Sequence, residues 1–192
     1  MLPSIELLRT KFDQALSYED FITLGEPHGH RPQWDQRLEQ TALTTEQSAL
    51  VGGFTRTMNI LCLTGTWCGD SALQGAAMRS VQLANPERIN LRFMMKNDDH
   101  ADLIVKSQIN AGFRVPVTFF MSEDLEIVDS FGDRTLSRYR SMARKDPRAS
   151  SHVIAPTPEN PVHTVRDEVV DLFERVHLIL RLSGRLRQKH GD

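Results

Sequence analysis

Residues 65–71 read Gly65-Thr66-Trp67-Cys68-Gly69-Asp70-Ser71, and their flanks decide the fold. Upstream, Met58 to Leu63 (MNILCL) is a short, mostly apolar run, the pattern of a buried parallel strand. Downstream, Gly69 to Leu83 reads as a helix. A thiol where a strand gives way to a helix lies near unpaired backbone N–H groups and the positive end of the helix dipole. Both favour thiolate over thiol. The thiolate is the nucleophile of thiol–disulfide exchange. Trp67 beside it offers a flat apolar surface to a partner peptide.

Working outward, Ile89 to Met95 reads as a second strand and Asp99 to Asn110 as a helix with Leu103, Ile104 and Ile109 inward. Val117 to Met121 and Glu126 to Ser130 are short strands joined by SEDL, a hairpin by spacing. Gly132 breaks the chain, and Thr135 to Lys145 makes another helix. The order is β-α-β followed by α-β-β-α, a parallel pair with a crossover helix plus an antiparallel edge. Before this lie a helix from Ser4 to about Leu16, with Ile5, Leu8, Phe12 and Ala15 on one face, and a turn-rich Glu26 to Pro32. Next come a helix from Gln33 to about Ala42 and one opened by a Thr44–Gln47 capping box and ended by Gly52 and Gly53. After the core, Asp146 to Pro161 reads as a linker and Val162 to Lys189 as one long helix. Its stripe is Val165, Val169, Leu172, Phe173, Val176, Ile179 and Leu186, with Arg175, Arg181, Arg185, Arg187 and Lys189 off it.

Composition bounds the function. The 192 residues carry 23 Lys and Arg against 25 Asp and Glu, a net charge of −2. That length predicts one elaborated domain, and the balance gives no electrostatic case for nucleic acid. Two cysteines make no disulfide framework and no cysteine-rich zinc site. His28-x-His30 has no second ligand pair near it, so no metal is expected. MLPSIELLRTKF lacks the apolar stretch of a secretory signal, and no apolar run nears the roughly 18–20 residues that span a bilayer. The expected compartment is the cytoplasm, with no membrane partner.

A second motif agrees with the first. Val115-Pro116-Val117-Thr118 stands just before the third strand, where the residue ahead of proline is biased to extended geometry. Its backbone can pair with an incoming chain as an added strand. The order strand, WCxxx, helix, strand, helix, V-P-x-x-F, hairpin, glycine, helix resembles the thioredoxin superfamily over about Thr57 to Lys145. More narrowly, WCGDS resembles single-cysteine bacterial thioredoxin-like proteins with W-C-G-D and a small residue. The resemblance implies an α/β fold, a four-stranded mixed sheet sandwiched by helices, with Pro116 cis and packed against Cys68. It implies four parts: an N-terminal helical extension (1–56), the core (57–145), a linker (146–161) and an added C-terminal helix (162–192).

Three departures from the thioredoxin pattern shape the expected chemistry. Ser71 stands where thioredoxins have their second cysteine, so no dithiol cycle operates within the motif. Cys62 stands where they hold a buried acid. Asp70 adds a carboxylate, which suits a helix start but opposes an adjacent thiolate.

The expectation is a monothiol redox protein in which Cys68 forms a mixed disulfide and Ser71 donates to its sulfur. Gly69 keeps the turn open, and Trp67, Asp70, Val115 and Pro116 form the docking surface. The partner is a protein thiol or disulfide, an extended peptide, or a low-molecular-weight thiol such as glutathione acting as co-substrate. The chain is a monomer or weak homodimer. The competing reading is a non-catalytic binding module in which Cys68 is dispensable, Ser71 is an early helix residue and Trp67 is packing. Cys62 reads as buried filler.

Overall fold

The computed structural model describes residues 2–146, 148, 154–156 and 159–191. Helices α1 (Ile5–Gln14), α2 (Tyr18–Thr23), α3 (Arg31–Gln40) and α4 (Thr45–Gly52) precede β1 (Met58–Thr64). There follow α5 (Gly69–Ala84), β2 (Ile89–Met95), α6 (Ala101–Lys106), β3 (Val117–Met121), β4 (Ile127–Gly132), α7 (Leu136–Lys145), α8 (Pro161–Leu182) and α9 (Gly184–His190). The four strands order as β2-β1-β3-β4. β1 pairs parallel with β2 and antiparallel with β3, and β3 pairs antiparallel with β4. This is the thioredoxin-like α/β architecture, a mixed sheet between helices.

The apolar run of β1 follows from burial on both faces, since successive side chains of a strand alternate. Ile60 and Cys62 join one core with Phe93, Tyr18, Phe21, Trp34, Ala77 and Phe173, drawn from β2, α2, α3, α5 and α8. Leu61 and Leu63 join the other with Leu8, Phe12, Met94, Leu103 and Phe119. The N-terminal helices therefore supply part of the main core. Ser4 caps α1, and the Thr44–Gln47 capping box forms at α4.

Several expectations need correction. Ile5 is exposed, and the buried face of α1 carries Lys11 instead, which reaches Asp102 at 2.8 Å. Tyr18–Thr23 is a helix the sequence reading passed over, capped by Ser17. Residues 99–110 are not one helix: a 3₁₀ turn at Asp98–His100 leads into α6, which stops at Lys106. Asn110 and Ala111 then take left-handed backbone, which turns the chain. Gly132 does not break the chain but ends β4 opposite Val117. A Cβ there would collide with the Pro116 carbonyl oxygen. The long terminal helix is interrupted at Ser183, whose extended backbone ends α8 and whose side chain caps α9. Half of the linker expected over 146–161 lies outside the described residues.

The basic residues of the last helices are not a free patch. Arg175 pairs with Asp129 and Arg185 with Glu126, while Lys189 Nζ meets Asp124 at 2.9 Å. They clamp α8 and α9 to the acidic β3–β4 hairpin. No helix among the described residues is long and apolar enough to cross a membrane.

Candidate functional site

Cys68 is the N-cap residue of α5. Its backbone is extended and its side chain makes no cap hydrogen bond. The half-buried Sγ lies 3.9 Å from the carbonyl oxygen of Val115, the residue before Pro116. The Val115–Pro116 peptide is cis. The two separated motifs thus meet at the sulfur. Trp67 is 52% exposed, and its ring lies over Gly65, leaving no room there for a side chain.

The loop carrying Trp67 and Cys68 is held from the N-terminal helices. The Thr66 carbonyl accepts from Trp34 Nε1 at 2.8 Å and from Gln33 Nε2 at 2.9 Å. The Thr66 hydroxyl lies 3.0 Å from His30 Nδ1. The His28 and His30 rings lie tilted to one another with centroids 5.6 Å apart, and no metal-binding cluster occurs among the described residues.

Asp70 projects the other way, toward α7. Its carboxylate accepts from Arg134 Nε and from Arg138 Nε, each at 2.7 Å. Arg134 also donates to buried Asp133 at 2.8 Å, and the Tyr139 hydroxyl donates to the same carboxylate. Burial opposes the charge on Arg134, yet the charge and hydrogen bond of Asp70, with Asp133 behind, hold it above the ordinary arginine value. The hydrogen bond to Asp133 raises Tyr139, with burial adding to it. Asp70 is therefore a neutralised partner of two guanidiniums rather than a bare anion beside the thiol.

Two assigned roles change. Ser71 is buried in the first turn of α5 and its hydroxyl has no hydrogen-bond partner, so it does not donate to Cys68. Gly69 is not needed to keep the turn open, because a Cβ there would meet nothing within 4 Å. Cys62 is fully buried, and burial pushes its thiol up to about 12. Cys68, Gly69 and Asp70 line a cleft of about 530 Å³ with Leu73, Arg37, Arg134, Arg138, Pro161 and Val162. Trp67, Val115 and Pro116 are not among its lining residues.

Gln33, Trp34, Arg37, Arg134 and Arg138 carry no motif in the sequence, and His30 stands out there only as half of the His28-x-His30 pair. The only local signal was Arg134 and Arg138 sharing a face at i, i+4 spacing.

Such a sheet, with a cysteine at a helix start against a cis-proline loop, defines a thioredoxin-fold protein. The family model described as thioredoxin matches residues 16–143, and the chain belongs to that family. One similar solved structure is a protein of unknown function from Pseudomonas aeruginosa. It is 18% identical with a TM-score of 0.62, and the match covers 94% of this chain and 98% of that one. Another is an HIV epitope-scaffold, also 18% identical, with a TM-score of 0.60 over 88% of this chain and 96% of that one. These likenesses show the fold alone. No curated protein matches the chain.

Proposed function

We propose that this chain is a monothiol redox protein of the W-C-G-D type that forms mixed disulfides through Cys68. The observation that carries this reading is the position of the sulfur, half-buried at the start of α5 and beside the Val115 carbonyl. The Val115 backbone and exposed Trp67 flank it for a docking partner. Ser71 cannot resolve the mixed disulfide and Cys62 is sealed in the core. Release therefore falls to an external thiol, a role that glutathione or a similar molecule fills in a reducing cytoplasm.

Intact-mass spectrometry of the chain purified without reductant tests this. One disulfide-linked adduct is expected, mapping to Cys68 and absent from Cys68→Ser. Iodoacetamide should label Cys68 in the folded protein and Cys62 only after unfolding. No adduct, together with labelling of Cys68 no faster than a free model thiol, refutes the redox reading. A second reading, a peptide-binding module, draws on the exposure of Trp67. It predicts that Cys68→Ser captures the same partners as the parent chain.

A further inference from the structure

The cleft beside Cys68 is cationic. Among the described residues three guanidiniums line it, those of Arg37, Arg134 and Arg138, against one lining carboxylate, that of Asp70. Their hydrogen bonding is incomplete. Arg138 gives only its Nε to Asp70, so its two terminal nitrogens have no partner among the described residues. Among the described residues Arg37 donates only from Nη1, to Gln40 Oε1 at 2.7 Å, and meets no carboxylate. Guanidinium forks of this kind match carboxylates, and the charge-assisted bonds they form are the strong ones. Leu73, Pro161 and Val162 add an apolar wall. The cleft's volume of about 530 Å³ lies within the range of small-molecule sites.

We infer that this cleft binds a carboxylate-bearing low-molecular-weight thiol, with Arg37 and Arg138 holding its carboxylates while its sulfur meets Cys68. The inference rests on the mixed-disulfide reading above and names its substrate class. In the step concerned, Cys68 gives its proton to solvent and its thiolate attacks one sulfur of the symmetrical disulfide of that thiol. The Cys68–sulfur bond forms as the original S–S bond breaks. The Cys68 sulfur is oxidised, and the departing thiolate is reduced and takes up a proton. A second molecule of the same thiol frees Cys68 and regenerates the symmetrical disulfide.

The test has two arms on the full chain. In the first, Cys68 adduct formation is timed with glutathione disulfide (net anionic), 2-hydroxyethyl disulfide (neutral) and cystamine (cationic). Each rate is divided by that of a small neutral model thiol. The anionic disulfide should lead the neutral one by about five- to tenfold and the cationic one by more, with the gap closing at high salt. In the second arm, calorimetry reads binding of S-methylglutathione, which cannot react. Saturable binding is expected, weakened at least about fivefold by Arg37→Gln and by Arg138→Gln. Arg37→Gln is the cleaner variant, since Arg37 holds only Gln40.

Equal normalised rates for the three disulfides, or S-methylglutathione binding that is absent or indifferent to both substitutions, overturns the inference and leaves the redox reading standing. Arginine-dependent binding with no adduct from any disulfide sinks the redox reading instead and supports the cleft as a carboxylate site.

Discussion

Gly75→Ala puts the anchoring of the cysteine loop to a direct test. Gly75 lies inside α5. A Cβ there would fall 2.5 Å from Trp34 Cζ3, 3.1 Å from Trp34 Cη2 and 3.3 Å from Phe93 Cε1. Carbon atoms pack best at about 3.5–4.0 Å, so the indole must give way by about 1 Å. It has little freedom to do so. Trp34 is fully buried, with edge-on contacts to Tyr18, Phe21 and Phe93 at centroid distances of 5.9, 5.5 and 6.3 Å.

Two terms oppose each other. Alanine gains about 1 kcal/mol over glycine in a helix interior. Overpacking a rigid core costs about 1–3 kcal/mol, and displacing the indole also strains its 2.8 Å bond to the Thr66 carbonyl. Packing wins, for a net loss of about 1–2 kcal/mol, which at about 2–4 °C per kcal/mol for a chain this size lowers Tm by about 2–8 °C. Urea titration and thermal melting read the loss, with Trp34 fluorescence followed in a Trp67→Phe background. Trp34→Phe removes the two indole carbons that clash, so adding Gly75→Ala to it should cost about 1 kcal/mol less than in the parent chain. A Gly75→Ala chain as stable as the parent, or more so, would show that helix propensity outweighs the contact and would refute the argument.

The remaining predictions concern charge. Asp70→Asn leaves Arg138 without its carboxylate and Arg134 with Asp133 alone. The Asp70 side chain is 10% exposed and those of Arg134 and Arg138 are 23% and 34% exposed, so charge-assisted bonds of ~1.5–3 kcal/mol are partly screened and a net loss of about 2 kcal/mol is expected in urea titration. A loss below about 0.5 kcal/mol would mean that solvent already serves those groups. His177 should make stability depend on pH. Burial, and then Arg181 and Arg56, hold it below the ordinary histidine value. Its neutral Nε2 accepts from the Thr55 N–H at 3.1 Å while the ring stacks on Phe54 at 4.5 Å. As pH falls below about 6.5 the unfolded chain binds the proton first, so stability drops as pH falls through the folded value. Urea midpoints between about pH 7 and pH 5 should fall less steeply for His177→Phe; an unchanged slope would clear His177 of the effect.

Legibility followed the range of the interactions. Strands β1 and β3 were readable because both faces are covered, which turns MNILCL and VTFFM into continuous apolar runs. The α4 start was readable because its capping box closes within four residues of chain. Helix α2 was missed because its six residues are too few to show a period. Trp34 shares its face of a polar helix only with half-buried Leu38, too short a pattern to mark it as a centre of the core. Ser183-Gly184 is a turn-marking dipeptide, but the apolar stripe runs on to Leu186 across it, and the end of α8 and start of α9 reveal its capping role. In the site, Cys68, Trp67 and the Val115–Pro116 pair were readable as local motifs. The partners of Asp70 lie 64 and 68 residues away, beyond any local pattern.

Those distant partners resolve the tension inside the motif itself. A carboxylate two residues past a reactive cysteine opposes the negative charge that the helix start favours. Here Arg134 and Arg138 bind that carboxylate, so the cysteine faces an ion-paired cluster in which cations outnumber anions along the cleft wall. The same pairs tie the first turn of α5 to α7, while Trp34 and Gln33 tie the preceding loop to α3. The thiol is thus fixed between the two flanks of the core. Asp70 is the joint, since its carboxylate binds both guanidiniums from the first turn of the helix that Cys68 caps.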